Sequence, residues 1–187
     1  VVGDSAIAFF RELRKAGISP DDIPVVMFAI AEDELRATDH TDMVGHYAAW
    51  NYFQSIDTDV NRKFVAAFKK RYGADRVTSD VIAAAYNSVY LWANAVRESG
   101  NTDVQQVRNA LRQQSLNAPE GIIAVDPSTQ HTGRPVYIAK IEETGQFEIV
   151  WNSNGSVRPV PYPITRSKAD WDTFVSDLYQ SWGGWAN

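Results

Sequence analysis

The sequence predicts an α/β protein whose chain passes between two lobes, and three observations carry that prediction. Residues 24–30 are a continuous apolar run, which fits a parallel strand buried on both faces. The elements follow in the order strand tip, helix, strand, helix, strand, the pattern of a right-handed α/β unit. A third apolar segment, expected as a strand over 44–53, runs straight into a polar crossing, Gln54-Ser55-Ile56-Asp57-Thr58, and then into an amphipathic helix. A strand that leaves its sheet through so short a polar link reads as a hinge passage.

Taken in order, Val1-Val2-Gly3 reads as a strand tip, and Asp4-Ser5 is expected to cap a helix over 5–16 with Ile7, Phe10 and Leu13 buried and Gly17 stopping it. Residues 31–37 form a short helical turn. After the crossing, Thr58 or Asp57 caps a helix with Val60, Phe64, Val65 and Phe68 inward, ended by Gly73. Ser79 caps a long helix to Glu98 whose buried face is expected to carry Ile82, Ala85, Tyr86, Val89, Ala93 and Val96. Thr102 and Gln105 form a capping box for a further helix closed by Leu111. Residues 122–125 fit a strand, and 135–142 with 146–151 fit a hairpin turned at Thr144-Gly145. Residues 152–163 are extended and proline-rich. Ser167 and Asp170 then cap a last helix with Trp171, Phe174, Val175, Leu178 and Trp182 on one side, and Trp182 is expected to dock on the body.

The composition is that of a globular chain, 187 residues with 44% hydrophobic and 22% charged. A net charge of −5 argues against a nucleic-acid partner. The Lys69-Lys70-Arg71 run closes a helix and complements its dipole. No apolar run approaches the roughly 20 residues of a membrane span. The absence of Cys excludes disulfides and thiolate chemistry.

WNYFQSIDT at 50–58, followed by a helix ending in RYG, resembles the hinge passage of substrate-binding proteins for urea and short-chain amides, the type I periplasmic-binding-protein components of ABC importers. The resemblance continues through AAAYNSVYLWANAV at 83–96, the APEGIIAVDPSTQHT loop at 118–132 and VRPVPYP at 157–163. It implies a type I periplasmic-binding-protein fold, two Rossmann-like lobes joined by hinge crossings, with only the C-terminal half present. A signal peptide and the first-lobe strands would precede Val1. Residues 1–52 would belong to the second lobe, 53–133 to the first, 134–152 would return to the second, and 153–187 would form an extended tail and C-terminal helix. The ligand would lie in the interlobe cleft, and the partners would be a small neutral ligand, urea or an amide, and the permease subunits of the importer, with no cofactor.

Within that frame the strand tips are the expected contact points. Gly3 lets backbone approach a ligand and Asp4 offers polar atoms, while the same residues serve as a helix start. Ala29, Ile30 and Ala31 form the loop after the next strand, and Glu32 beside them is chemically apt, because a carboxylate accepts two N–H donors of urea at once. Glu32, Asp33 and Glu34 are equally the acids that a helix start favours. Tyr86 walls the pocket from the other lobe or packs in the core of its helix. Trp50 is a lesser cleft candidate.

Catalytic and metal readings find little. His40, His46 and His131 are far apart and none adjoins a Gly-x-Ser-x-Gly elbow. Asp57-x-Asp59-x-Asn61 starts like a calcium loop but has Arg62 where glycine is needed. His131 is read as holding its loop. The expected function is therefore the extracytoplasmic solute-binding component of an ABC transporter for urea or short-chain amides, with a cytoplasmic amide-sensing regulator as the alternative and an amide-acting enzyme behind both.

Overall fold

The computed structural model describes residues 3–184. The strand tip expected at Val1-Val2 and the last tryptophan, Trp185, lie outside the described residues. Helix α1 (Asp4–Lys15) starts from Gly3 at φ 60°, a conformation that glycine adopts without a Cβ penalty. Neither Asp4 nor Ser5 caps it: Asp4 is already inside the first turn, and there is no side-chain cap. Phe10 and Ala6 are its buried residues, with Ile7 and Leu13 packed at the edge of the same core.

Strand β1 (Val26–Met27) pairs in parallel with β2 (Tyr47–Trp50), and β2 pairs antiparallel with β6 (Tyr137–Ile141), which pairs with β7 (Phe147–Asn152). The sheet order is β1-β2-β6-β7. The parallel pairing matches the expectation, but burial on both faces does not hold. Met27 and Ile30 face the core while Val26 and Phe28 are exposed, so β1 alternates. Between these strands lie α2 (Glu32–Ala37) and a 3-10 turn over Thr41–Met43. The core is apolar and includes Phe10, Ile30, Leu35, Ala48, Phe53, Ile141 and Phe147.

Tyr52 and Phe53 are adjacent and both have no exposed surface, yet they enter different cores. Successive side chains of an extended chain point oppositely. Phe53 stacks 4.7 Å from Phe147 in the sheet core. Tyr52 meets Ile56, Phe64 and Ala83 beyond the crossing. The change of neighbourhood thus happens within one peptide unit.

Helix α3 (Asp59–Tyr72) is capped by Thr58, whose hydroxyl accepts from Asn61 N–H at 3.1 Å, and it ends at Gly73 with φ 124°. Its most buried side chain is polar, Asn61. Helix α4 (Asp80–Ser99) buries Asp80, Ala83, Asn87, Leu91 and Ala95. The expected face was one position out of phase, and Tyr86 and Val89 of that face are exposed. Its buried side is marked by acid and amide groups with partners inside, which a count of apolar residues cannot detect. Ser79 precedes it without a side-chain cap bond.

Helix α5 (Val104–Leu111) is capped by Asp103, which accepts from Gln105 N–H and Gln106 N–H, in place of Thr102. A second sheet follows, antiparallel in the order β3-β4-β5: β3 (Ser115–Ala118), β4 (Gly121–Val125) and β5 (Thr132–Gly133). The loop between β4 and β5 is held by Asp126 together with His131, whose Nδ1 lies 3.1 Å from the Thr129 carbonyl and whose own carbonyl accepts from Asp126 N–H at 2.8 Å. Asp126 Oδ1 accepts from the hydroxyls and backbone N–H groups of Ser128 and Thr129. Helix α6 (Lys168–Ser181) has the expected Ser167–Asp170 capping box but no buried residue, and Trp182 at its end is 59% exposed.

Candidate ligand-binding site

Gly3, Asp4 and Ile30, separated by more than twenty residues, line one pocket of about 180 Å³ with Ile7, Glu34 and Met43. The pocket sits between the start of α1 and the later part of α2, beside Ile30 just after β1, and most of its lining is apolar. Two carboxyl groups, Asp4 and Glu34, stand among its lining. Glu34 Oε2 accepts from Ala31 N–H at 2.8 Å, which fixes the side chain against the strand tip. Burial raises the Glu34 pKa. Trp50 Nε1–H donates to the Ile30 carbonyl at 2.7 Å, so this indole anchors the tip. The Ile30 carbonyl and the Ala31 N–H are therefore already used, while Ala29 is half-buried beside them.

Glu32 turns away from this pocket into the crossing. Its side chain has no exposed surface, and Oε1 accepts the Gln54 backbone N–H. Oε2 is buried and has no hydrogen-bond partner among the described residues. Burial pushes the Glu32 pKa up to about 8, against the lowering effect of the Gln54 N–H, and Asp33 and Asp80 nearby push it in the same upward direction. The acid at the pocket is thus Glu34, two positions on. A six-residue helix turns consecutive acids to different sides, and the sequence alone did not say which side each takes.

The crossing carries further buried polar groups. Tyr52 OH donates to Asn61 Oδ1 at 2.9 Å and lies 2.7 Å from Thr78 Oγ1. Asn61 Nδ2 donates to the carbonyls of Gln54 and Ile56. On the far side, Arg134 bridges Asp80 at 2.9 Å and Glu120 at 2.8 Å, and Asn87 Nδ2 donates to Glu120 Oε1. Burial raises the Asp80 pKa even though Arg134 lowers it. From the sequence Gln54 stands out only as part of a polar crossing and Asn61 only as part of a failed calcium loop, and Asp80, Asn87, Glu120 and Arg134 do not stand out at all. The readable cue was polar residues at helical positions otherwise occupied by core side chains, Asn61 and Asn87 above all.

Tyr86 is not part of the strand-tip pocket. It stacks 4.7 Å from Phe64 and lines a separate groove of about 490 Å³ with Phe68 and Tyr72 on α3. No group of His, Asp or Glu among the described residues is arranged to hold a metal ion.

A small pocket between the start of α1 and the end of β1, beside a polar passage that joins two cores, is the kind of place where α/β sheets take ligands. The chain belongs to the periplasmic binding protein domain family, which matches residues 1–168. Two solved structures share the fold. One is a solute-binding protein of an ABC transporter from Rhodopseudomonas palustris BisB5 in complex with 3,4-dihydroxybenzoic acid, 21% identical with TM-score 0.72, matched over 85% of this chain and 45% of that one. The other is an amino acid ABC transporter substrate-binding protein from Pseudomonas fluorescens Pf-5, 17% identical with TM-score 0.73, matched over 85% and 43%. A protein of Geobacillus stearothermophilus called limonene hydroxylase is 38% identical over 117 residues, 63% of this chain and 21% of that protein. The family and its fold neighbours are binding proteins, and this chain spans less than half the length of those solved structures.

Proposed function

We propose that this chain forms one wall of the ligand cleft, and the passages between lobes, of an extracytoplasmic solute-binding protein that delivers urea or a short-chain amide to the permease subunits of an ABC importer. Residues 1–52 and 134–152 are assigned to one lobe and 53–133 to the other, with 153–187 as tail. The two separate sheets, one closed by β6 and β7 and the other by β3–β5, support this division.

The observation that carries the ligand assignment is the strand-tip pocket. At about 180 Å³ it suits a small molecule, and its two carboxyl groups are acceptors without a cationic side chain among the lining residues. Such a rim selects N–H donors and disfavours an anionic ligand. Urea and short amides have N–H groups, little volume and no charge. Asp4 and Glu34 accept those N–H groups, Gly3 allows close backbone approach, and Ile30 forms part of the wall, while Ala29 before it lies outside the lining. Binding needs no bond to be made or broken, so the chain acts by capture and closure and not by catalysis.

Titration calorimetry on a protein that joins this chain to a complete first lobe tests the reading. Urea or acetamide is expected to bind, and Glu34→Gln to weaken binding by about 5- to 150-fold, the equivalent of a lost buried acceptor at about 1–3 kcal/mol. Binding of benzoate or leucine in preference to the amides overturns the ligand class while leaving the cleft in place.

A further inference from the structure

Gln54 is the first residue beyond the buried Tyr52-Phe53 pair, and it bonds to four separate segments. Its backbone N–H donates to Glu32 Oε1 in α2. Its carbonyl accepts from Asn61 Nδ2 in α3 at 2.9 Å. Its side-chain Oε1 accepts from the backbone N–H of Thr78, just ahead of α4, at 2.9 Å, and from Thr78 Oγ1 at 3.3 Å. Its Nε2 donates to Gln146 Oε1, at the turn of the β6–β7 hairpin, at 3.0 Å. Three of these partners lie 22, 24 and 92 positions away in sequence.

A buried crossing must satisfy its polar groups, and most of this one does. Several buried side-chain oxygens have no hydrogen-bond partner among the described residues, Glu32 Oε2, Ser79 Oγ, Asn87 Oδ1 and Glu120 Oε2 among them. Glu32 is set apart from Glu120 by having no ion pair among the described residues, and its carboxyl has no exposed surface, so leaving Oε2 without a partner costs stability. The same carboxyl depends on one N–H, that of Gln54, and the orientation of that peptide is locked by the Gln54 side chain on Thr78 and Gln146.

We propose that Gln54 is the positioning residue of the passage: its side-chain amide fixes the peptide whose N–H holds Glu32, so that the Glu32 carboxyl and the segment entering α4 move as one unit. This rests on the two-lobe reading above for its use in closure. Rotation about the passage then swings the 53–54 peptide, and an N–H···O bond weakens steeply once the angle falls below about 120°. Glu32 is released, or caught, in step with the shift at Thr78. Ligand capture beside α2 and movement of the α4 segment are thereby coupled through a single glutamine.

The test is made on the chain without ligand, so it stands or falls separately from urea binding. The backbone amide resonances of Gln54 and Thr78 are followed by NMR through the titration of Glu32, with Glu32→Gln identifying its contribution against those of Asp33 on the same helix, Asp80 from α4 and Tyr52 from the passage. In the parent chain both amides are expected to report the Glu32 titration. In Gln54→Ala, Thr78 is expected to stop reporting it, and hydrogen exchange at Thr78 to quicken by about tenfold or more, the loss of roughly one buried hydrogen bond. Ser55→Ala, an exposed neighbour, is expected to leave both unchanged. Gln54→Met keeps the volume and carries the same comparison if Gln54→Ala does not fold. Thr78 following Glu32 equally with and without the Gln54 amide, or failing to follow it in the parent, overturns the proposal.

Discussion

The core of the four-stranded sheet and the crossing at 51–61 are joined by one peptide bond and are held by different forces. The sheet core is Phe10, Ile30, Leu35, Ala48, Phe53, Ile141 and Phe147, apolar and without directional demands. The crossing is Tyr52, Gln54, Asn61, Thr78 and Glu32, with Asp80, Glu120 and Arg134 behind it, each placed by hydrogen bonds of defined partner and angle. Apolar packing stabilises without regard to direction, and small changes of shape are absorbed locally. A hydrogen-bonded network has discrete states, because a bond is made or lost as its peptide rotates. A protein that must close around a ligand therefore gains from a rigid apolar body next to a polar passage whose bonds can be exchanged.

The largest expected effect that distinguishes the two regions is at Arg134. Arg134→Ala leaves Asp80 and Glu120 buried without their cation and is expected to cost about 3–5 kcal/mol, measured by guanidinium chloride unfolding. A loss under 1 kcal/mol would mean that the crossing is wetter than its burial implies. Asn61→Ala comes next. It strands the carbonyls of Gln54 and Ile56 and removes one partner of Tyr52 OH, for an expected loss of about 1–3 kcal/mol in the same assay.

The third difference is in pH. The Glu32 pKa is raised above its ordinary 4.5 to about 8, so between those values the folded chain keeps a proton that the unfolded chain has lost. Stability from this group is thus expected to be full below pH 4.5, to fall as pH rises through the window, and to level off above pH 8. Burial raises Asp80 in the same direction. Thermal unfolding across this range should lose most of that slope in Glu32→Gln, and an unchanged slope assigns it to other groups. The smallest effect belongs to the sheet core, where Ile141→Val is expected to cost about 0.5–1.5 kcal/mol with no change in pH dependence.

The same contrast explains what could be read from the sequence. Elements set by local chemistry were legible: the Thr58 cap and Gly73 stop of α3, the Thr144-Gly145 hairpin and the Ser167 cap of α6. The sheet core was legible where apolar runs continue through Ile30 and Ile141. The polar crossing was not, because Asn61, Asn87 and Asp80 are buried by partners distant in sequence, and this shifted the predicted face of α4 by one position. β3 and β5 escaped for a different reason. Ser115-Leu116-Asn117-Ala118 has weak apolar alternation, and Thr132-Gly133 is too short to show a period. At the strand tips Gly3, Asp4 and Ile30 were legible as neighbours, and they line one small pocket. The exchange of Glu32 for Glu34 at the pocket depended on the start and phase of a six-residue helix.

The most direct measurement is amide hydrogen exchange, with and without urea well below denaturing concentration, on a protein that joins this chain to a complete first lobe. A rigid sheet beside an exchangeable passage predicts that ligand slows exchange at 29–34, at 54–58 and at Thr78, and leaves the β6–β7 hairpin strands as they were. Equal slowing throughout the sheet and the passage, or slowing confined to the hairpin strands, would contradict it.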